Sequence, residues 1–211
     1  MKNIDEELDN LNQLVLKMAD LVEKNIEIAM DYYFKGKRLP DINDDLVDGM
    51  ERFIEESCLD IMIKERPFAK DLRRLTGILT LVEDIERVGD HAEDIYNFSK
   101  KLRKSESIIK LEVKDLFEIA IRMFHDAIRC FVSKNIDLAK RVILLDDVVD
   151  KLYESKLDEL ITKWQTRADN SFAIYNTLVV KYLERIADHA VNIAEWVIYI
   201  ANGYYKDKQI F

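Results

Sequence analysis

The scarcity of helix-breaking residues is the feature that most restricts the folds open to this chain. Its 211 residues include only five glycines and two prolines, and both residue types disfavour the interior of a helix. Between these breaks, apolar residues recur every three or four positions, which is the period of a helix with one buried face. The sequence therefore predicts long uninterrupted helices and no strand of consequence.

Six helices are predicted from this period and from the turn residues that separate them. Gly36 and Pro40 end the first helix, residues 41–44 offer caps for the second, and Pro67 ends the second because the residue before a proline disfavours helix. The predicted helices span about residues 4–35, 44–66, 68–104, 111–132, 137–166 and 172–201.

A ten-residue motif occurs at matching places in the third and sixth predicted helices. Residues 86–95 and 184–193 share the pattern Glu-Arg-x-x-Asp-His-Ala-x-x-Ile, at an offset of 98 residues. The second and fifth predicted helices share Asp-Asp-x-Val-Asp, at residues 44–48 and 146–150. The chain is therefore predicted to be all-α, with two tandem three-helix bundles at residues 1–105 and 106–211 that arose by internal duplication.

The acidic residues of this motif follow a helical spacing. Glu86, Asp90 and Asp94 are separated by steps of four residues, which places them on one face of the helix, where like charges repel one another. Water, the neighbouring Arg87 or a bound cation must offset that repulsion. The corresponding residues of the second copy are Glu184, Asp188 and Asn192.

Carboxylates without thiolates suit hard cations such as magnesium, calcium, manganese or iron. One pair of carboxylates binds weakly, so acids of the second helix of each bundle are candidates for an opposite wall. These candidates are Asp44, Asp48, Asp146 and Asp150. His91 and His189 follow the aspartates by one residue, about 100° around the helix, which favours a supporting role over direct ligation. A solvated charged face explains one copy of the motif simply, but repetition in register favours a metal site.

Composition excludes several other classes of protein. A formal net charge of −9 argues against a nucleic-acid partner. No apolar run approaches the roughly 18–20 residues that span a bilayer, and the acidic N-terminus does not resemble a secretory signal. Cys58 and Cys130 fit no metal or redox spacing. We therefore expect a cytoplasmic protein that does not insert directly into a membrane.

These residues resemble the PhoU family, the accessory and regulatory proteins of phosphate transport. The shared features are the paired Glu-x-x-x-Asp motifs, the Asp-Asp-x-Val-Asp segments, and the turn at residues 66–73, where Arg66 stands in place of the family's Gln. The resemblance implies tandem spectrin-like three-helix bundles. It also implies metal ligation by Glu86, Asp90, Asp94, Glu184, Asp188 and Asn192. Family members often carry Asn at the third position, so Asp94 is the departure.

The same resemblance implies a regulatory role without catalysis. The protein would restrain phosphate uptake and the phosphate-starvation response, with a phosphate ABC transporter and a sensor histidine kinase as partners. Iron is the metal it implies first, with zinc, manganese, magnesium and calcium as alternatives, and a homodimer is the oligomer it implies. No catalytic or organic-cofactor motif is found in the sequence: there is no Gly-rich phosphate loop, nucleophile motif or zinc-protease helix.

Two other functions stay open at this point. A carboxylate-bridged di-metal oxidase is the first, but such sites in helical bundles use Glu-x-x-His pairs, whereas Glu86 precedes His91 by five residues. A purely structural bundle without metal is the second.

Overall fold

The computed structural model describes residues 4–36, 42–104, 111–164, 170–206 and 208–209. Within this part of the chain the helices are α1 (Ile4–Lys35), α2 (Asp44–Glu65), α3 (Ala69–Lys104), α4 (Lys114–Ser133), α5 (Ile136–Leu144), α6 (Asp146–Trp164) and α7 (Asn170–Asn202). A short antiparallel hairpin follows, formed by β1 (Tyr204–Tyr205) and β2 (Lys208–Gln209). The predicted all-α fold of tandem helical bundles is confirmed. The predicted division at residues 105 and 106 lies outside the described residues and stays a prediction.

The first bundle consists of α1, α2 and α3. Apolar residues of α1 are buried at intervals of three and four from Leu8 to Tyr33, as the helical period predicts. α1 ends at Lys35 and is followed by Gly36, which has the left-handed φ of 62° that a glycine adopts without strain. Asn43 precedes α2, but its side chain makes no capping hydrogen bond, so the cap expected there is not formed by Asn43.

The second bundle differs from the prediction in one element. The fifth predicted helix is divided into α5 and α6 at Leu145. There the backbone N–H of Leu145 donates to the carbonyl of Val142, three residues earlier, at 3.0 Å, a tightened turn that interrupts the regular helix. No glycine or proline lies at this place, so the break could not be predicted from the sequence. The predicted end of that helix near residue 166 lies outside the described residues.

α3 and α7 pack along each other in opposite directions and join the two bundles. Gly77, near the start of α3, faces Ile200 near the end of α7. Farther along, Phe98 of α3 lies over the rings of Tyr182 and Tyr175 of α7, at centroid distances of 5.8 and 6.0 Å. Buried side chains of both bundles form one continuous hydrophobic cluster. The two helices that carry the acidic motifs are therefore also the helices through which the bundles meet.

None of the described helices is both long enough and apolar enough to cross a bilayer.

Candidate metal centre

The first acidic cluster comprises Asp44 and Asp48 of α2 and Glu86 and Asp90 of α3. Asp44, Asp48 and Asp90 each offer a carboxylate oxygen within 4.8 Å of the other two. Gly89 permits this approach, because a Cβ atom there would lie 3.2 Å from Cγ1 of Val47 and 3.6 Å from Oδ1 of Asp44. The opposite wall proposed from the sequence is thus placed against the motif of α3.

Burial and mutual repulsion disfavour the ionised form of the carboxyl groups in this cluster. Burial raises the pKa of Asp44 to about 6, and the charges of Asp90 and Glu93 add to the effect. Burial likewise raises the pKa of Glu86 to about 7, with Asp90 adding and Arg87 opposing. One oxygen of Asp44 and one of Glu86 are buried without a hydrogen-bond partner. Unpartnered buried carboxylate oxygens are costly, and a cation is the ligand that would satisfy them.

Arg87 neutralises part of the first acidic cluster from its outer side. Its guanidinium donates to Asp90 at 2.9 Å and lies 3.5 Å from Glu86, while its own side chain is half exposed. This is the role predicted for Arg87 from the sequence. The buried Oδ1 atom of Asp44 still has no hydrogen-bond partner.

The second acidic cluster comprises Asp146 and Asp150 of α6 and Glu184 and Asp188 of α7. Burial raises the pKa of Glu184 to about 7, with Asp188 adding and Arg185 opposing. Burial also raises the pKa values of Asp146 and Asp188, and one oxygen of Asp146 is buried without a hydrogen-bond partner. Among the described residues, this cluster does not bring three ligand atoms as close together as the first does.

The third positions of the motif point toward the other bundle. Asn192 donates from Nδ2 to Oδ1 of Asp84 across the α3–α7 interface at 3.1 Å. Asp94 lies near Tyr182, whose pKa is raised by burial and then by the charge of Asp94. Residues eight apart on a helix are rotated by about 80°, so this third position turns away from the first. The structure does not bring Asp94 together with Asp44, Asp48 and Asp90, and Asn192 contacts Asp84. Ligation by Asp94 and Asn192 stays a prediction.

The two histidines of the motif, His91 and His189, lie between the bundles. Nδ1 of His189 is 2.8 Å from Oδ1 of Asp84. His91 is 9% exposed, packs against the rings of Tyr182 and His189, and has no hydrogen-bond partner for either ring nitrogen. Burial, followed by the charges of His189 and Arg185, lowers the pKa of His91 to about 4, so this ring is neutral at pH 7.

Sequence analysis did not identify Asp84 and Tyr182, which contact the histidines and the third positions of the motif. Asp84 meets His189 and Asn192, whereas Tyr182 meets His91 and Asp94. The two residues are themselves 98 positions apart. This is the offset that relates the two copies of the motif. Applying it to residues outside the motif would therefore have identified Asp84 and Tyr182 as equivalent positions.

The residues of the first acidic cluster fit a hard metal cation. Its donors are carboxylates, which divalent and trivalent hard cations prefer. Oδ1 of Asp44 and Oε2 of Glu86 are buried without a hydrogen-bond partner, although the Glu86 atom lies 3.5 Å from Nε of Arg87. Cys58 and Cys130, the free cysteines, are buried elsewhere in the hydrophobic cluster. The cluster therefore offers only oxygen atoms as metal ligands.

Fold and site together define a class: all-α proteins of tandem helical bundles that carry a matching acidic cluster in each bundle. The PhoU domain model matches residues 15–98 and again residues 113–197. The chain belongs to the PhoU family.

Individual relatives resemble the chain over nearly its whole length. A protein of Clostridium acetobutylicum named phosphate-specific transport system accessory protein PhoU homolog is 31% identical, covering 96% of this chain and 95% of the relative. A Thermotoga maritima protein named PhoU homolog 1 is 34% identical, covering 95% and 90%. The crystal structure of PhoU from Pseudomonas aeruginosa superposes with a TM-score of 0.88 at 33% identity, covering 96% of this chain and all of that one.

Proposed function

We propose that this chain is a metal-binding regulatory adaptor that acts with a phosphate transport system and has no catalytic step of its own. The names of its relatives support the association with phosphate transport. In this proposal the protein acts in the cytoplasm as a homodimer and restrains phosphate uptake and phosphate-starvation signalling. Its partners are the phosphate ABC transporter and a sensor histidine kinase.

One observation supports the metal-binding part of the proposal. Both acidic clusters bury a carboxylate oxygen that has no hydrogen-bond partner, at Asp44 and Glu86 in the first and at Asp146 in the second. Asp44, Asp48, Glu86 and Asp90 would hold a cation in the first cluster. Asp146, Asp150, Glu184 and Asp188 would hold one in the second. Asp94 of the first copy of the motif and Asn192 of the second stay predicted ligands that would have to turn from their contacts with Tyr182 and Asp84 to reach a cation.

Iron is the first candidate for this cation, followed by manganese, zinc, magnesium and calcium. The cation would supply positive charge that holds carboxylates of two helices together. Ionised carboxylates are needed for this binding, so a bound cation would lower the pKa values that burial raises in the clusters.

Phosphate uptake and a phosphate-starvation reporter in a deletion strain test the proposed function. We expect the deletion to raise both uptake and reporter expression in high phosphate, and a plasmid-borne wild-type copy to restore them. Uptake and reporter expression that are unchanged by the deletion in both low and high phosphate would contradict the proposal.

A further inference from the structure

The corner between α2 and α3 exposes large apolar side chains to solvent. Phe68 is 86% exposed and Ile63 is 74% exposed, the two highest values among the exposed large apolar side chains of the described residues. Leu59 and Leu72, one helical turn to either side, are 51% and 41% exposed. Exposed apolar groups gathered in one place mark interaction sites more often than isolated ones do.

The backbone holds this corner in a fixed and uncommon conformation. Arg66 and Ala69 have left-handed φ values of 47° and 37°, which cost a non-glycine residue energy and persist where the surroundings enforce them. The backbone N–H of Asp71 donates to the carbonyl of Phe68 at 3.0 Å. Phe68 therefore projects from a turn with a defined shape.

The chain segment that forms the corner is locally basic within an acidic chain. Residues 64–74 contain five Lys or Arg and two acidic residues, whereas the whole chain carries −9. Lys64 pairs with Asp60 and Arg74 with Asp9. Arg66 and Lys70 are exposed and form no ion pair with a described residue. Two unmatched cations therefore flank the projecting Phe68.

We propose that this corner docks on a protein partner that offers an apolar pocket with an acidic rim. Phe68 fills the pocket, Ile63 packs beside it, and Arg66 and Lys70 face the carboxylates of the rim. Aromatic residues and arginine dominate the binding energy of such interfaces, and complementary charge speeds association. The proposal rests on the proposed function, in which the partner is the phosphate ABC transporter.

Charge and shape favour a protein over a lipid surface as the occupant. An anionic bilayer attracts clusters of four to eight basic residues, whereas this corner offers Arg66 and Lys70 as its unmatched cations, on a chain of net charge −9. The fixed turn at Phe68 lowers the entropic cost of entering a shaped pocket, an advantage that a fluid bilayer does not exploit.

Binding of the full-length protein to the purified transporter, in nanodiscs of neutral phosphatidylcholine, tests the proposal by interferometry. We expect Phe68→Asp to weaken binding at least about tenfold. The double variant Arg66→Gln/Lys70→Gln should slow association several-fold at low salt. Ile174→Asp is the matched control, because Ile174 is 56% exposed on α7, and it should bind as the wild type does. All variants should keep the wild-type melting temperature.

Separate outcomes decide between the docking surface and the function on which it rests. Equal binding by the wild type and Phe68→Asp overturns the docking surface and leaves the adaptor function standing. Absence of wild-type binding also overturns it, and complementation of the deletion strain by the wild type then decides whether the function survives. Phe68-dependent binding to phosphatidylglycerol vesicles, with no effect of Phe68→Asp on transporter binding, would assign the corner to a lipid surface instead.

Discussion

Glu86 and Glu184 occupy equivalent positions in the two bundles and face the same electrostatic problem. In each case burial and a neighbouring aspartate raise the pKa to about 7, from an ordinary value of 4.5. Each cluster therefore resists full ionisation near neutral pH unless a cation is present.

These shifts predict how the stability of the metal-free protein depends on pH. Between about pH 4.5 and 7 both glutamates bind more protons in the folded state than in the unfolded state, so their contribution to the free energy of unfolding falls as pH rises through this window. His91, whose pKa is lowered to about 4, acts in the opposite direction. We expect a loss of about 1 kcal/mol for each glutamate between pH 5 and 8, after allowance for solvent screening. Urea unfolding in chelator at both pH values measures it.

The double variant Glu86→Gln/Glu184→Gln is the control, because it removes both titrating groups. The free energy of unfolding of the wild type, relative to that of the double variant, should fall as pH rises from 5 to 8, because His91 contributes equally to both proteins. A difference between the two proteins that stays constant or grows with pH in chelator would contradict the electrostatic account of the clusters.

Asp84 makes two polar contacts across the α3–α7 interface. Its Oδ1 lies 2.8 Å from Nδ1 of His189 and accepts a hydrogen bond from Asn192 at 3.1 Å. Asp84→Ala leaves both groups unpartnered in a largely buried interface. We expect the free energy of unfolding to fall by about 2–3 kcal/mol, as measured by urea unfolding at pH 7.

Glu83→Ala is the matched control for this prediction, because Glu83 is the exposed neighbour of Asp84 on the same helix. It should change stability by no more than about 0.5 kcal/mol. Equal effects of the two substitutions on the free energy of unfolding would show that the polar contacts at Asp84 do not stabilise the interface between the bundles.

The packing of α3 against α7 depends at one point on the absence of a side chain. A Cβ atom at Gly77 would lie 2.4 Å from Cγ1 of Ile200. Gly77→Ala should therefore lower the free energy of unfolding by about 1–2 kcal/mol, because the cost of overpacking exceeds the gain in helix propensity. Thermal or urea unfolding measures the change.

Gly49 of α2 provides the opposite case. A Cβ atom there would meet nothing within 4 Å, so Gly49→Ala should stabilise the protein by about 0.5–1 kcal/mol through helix propensity alone. If both alanine variants were stabilising, the close approach of α3 and α7 at Gly77 would be contradicted.

Helix positions were largely predictable because their signals are local. The apolar period and the turns at Gly36 and Pro67 located α1, α2 and α3 to within a few residues. The break at Leu145 was not predictable, because it arises from a tightened turn with no glycine or proline in the sequence. The exposed corner at Phe68 escaped notice because helical spacing does not show which residues a neighbouring helix leaves uncovered.

The candidate site was predictable to a similar extent. Spacing identified Glu86, Asp90, Glu184 and Asp188, and the duplicated Asp-Asp-x-Val-Asp segment identified Asp44 as part of an opposite wall. The third positions were harder, because whether Asp94 faces its own cluster or the other bundle depends on how α3 packs against α7. That packing involves residues far apart in the sequence, so it cannot be inferred from the spacing of residues within one helix.

At the scale of the whole molecule, duplication yields two bundles that are similar but not equivalent. The first acidic cluster gathers three carboxylate oxygens within 4.8 Å, and the second does not reach this proximity among the described residues. We therefore expect the first cluster to bind a cation more tightly. Asp90→Asn should abolish the tighter phase of a manganese titration and Asp188→Asn the weaker phase, as measured by calorimetry.

A titration in which Asp188→Asn removed the tighter phase would reverse this assignment. Removal of metal should also destabilise the wild type, since a ligand present at a hundredfold excess over its Kd stabilises the folded state by about 2.7 kcal/mol. A chelator that leaves the melting temperature unchanged would contradict that expectation.

The metal content of the protein, purified without chelator from cells grown with iron and manganese, tests the central claim most directly. We predict at least one equivalent of a hard cation per wild-type chain, measured by mass spectrometry of the metal. We also predict that this cation is lost from the variant Asp44→Asn/Asp90→Asn, while its helical content stays unchanged. A folded wild-type protein that carries no metal, or a variant that retains all of it, would contradict the account.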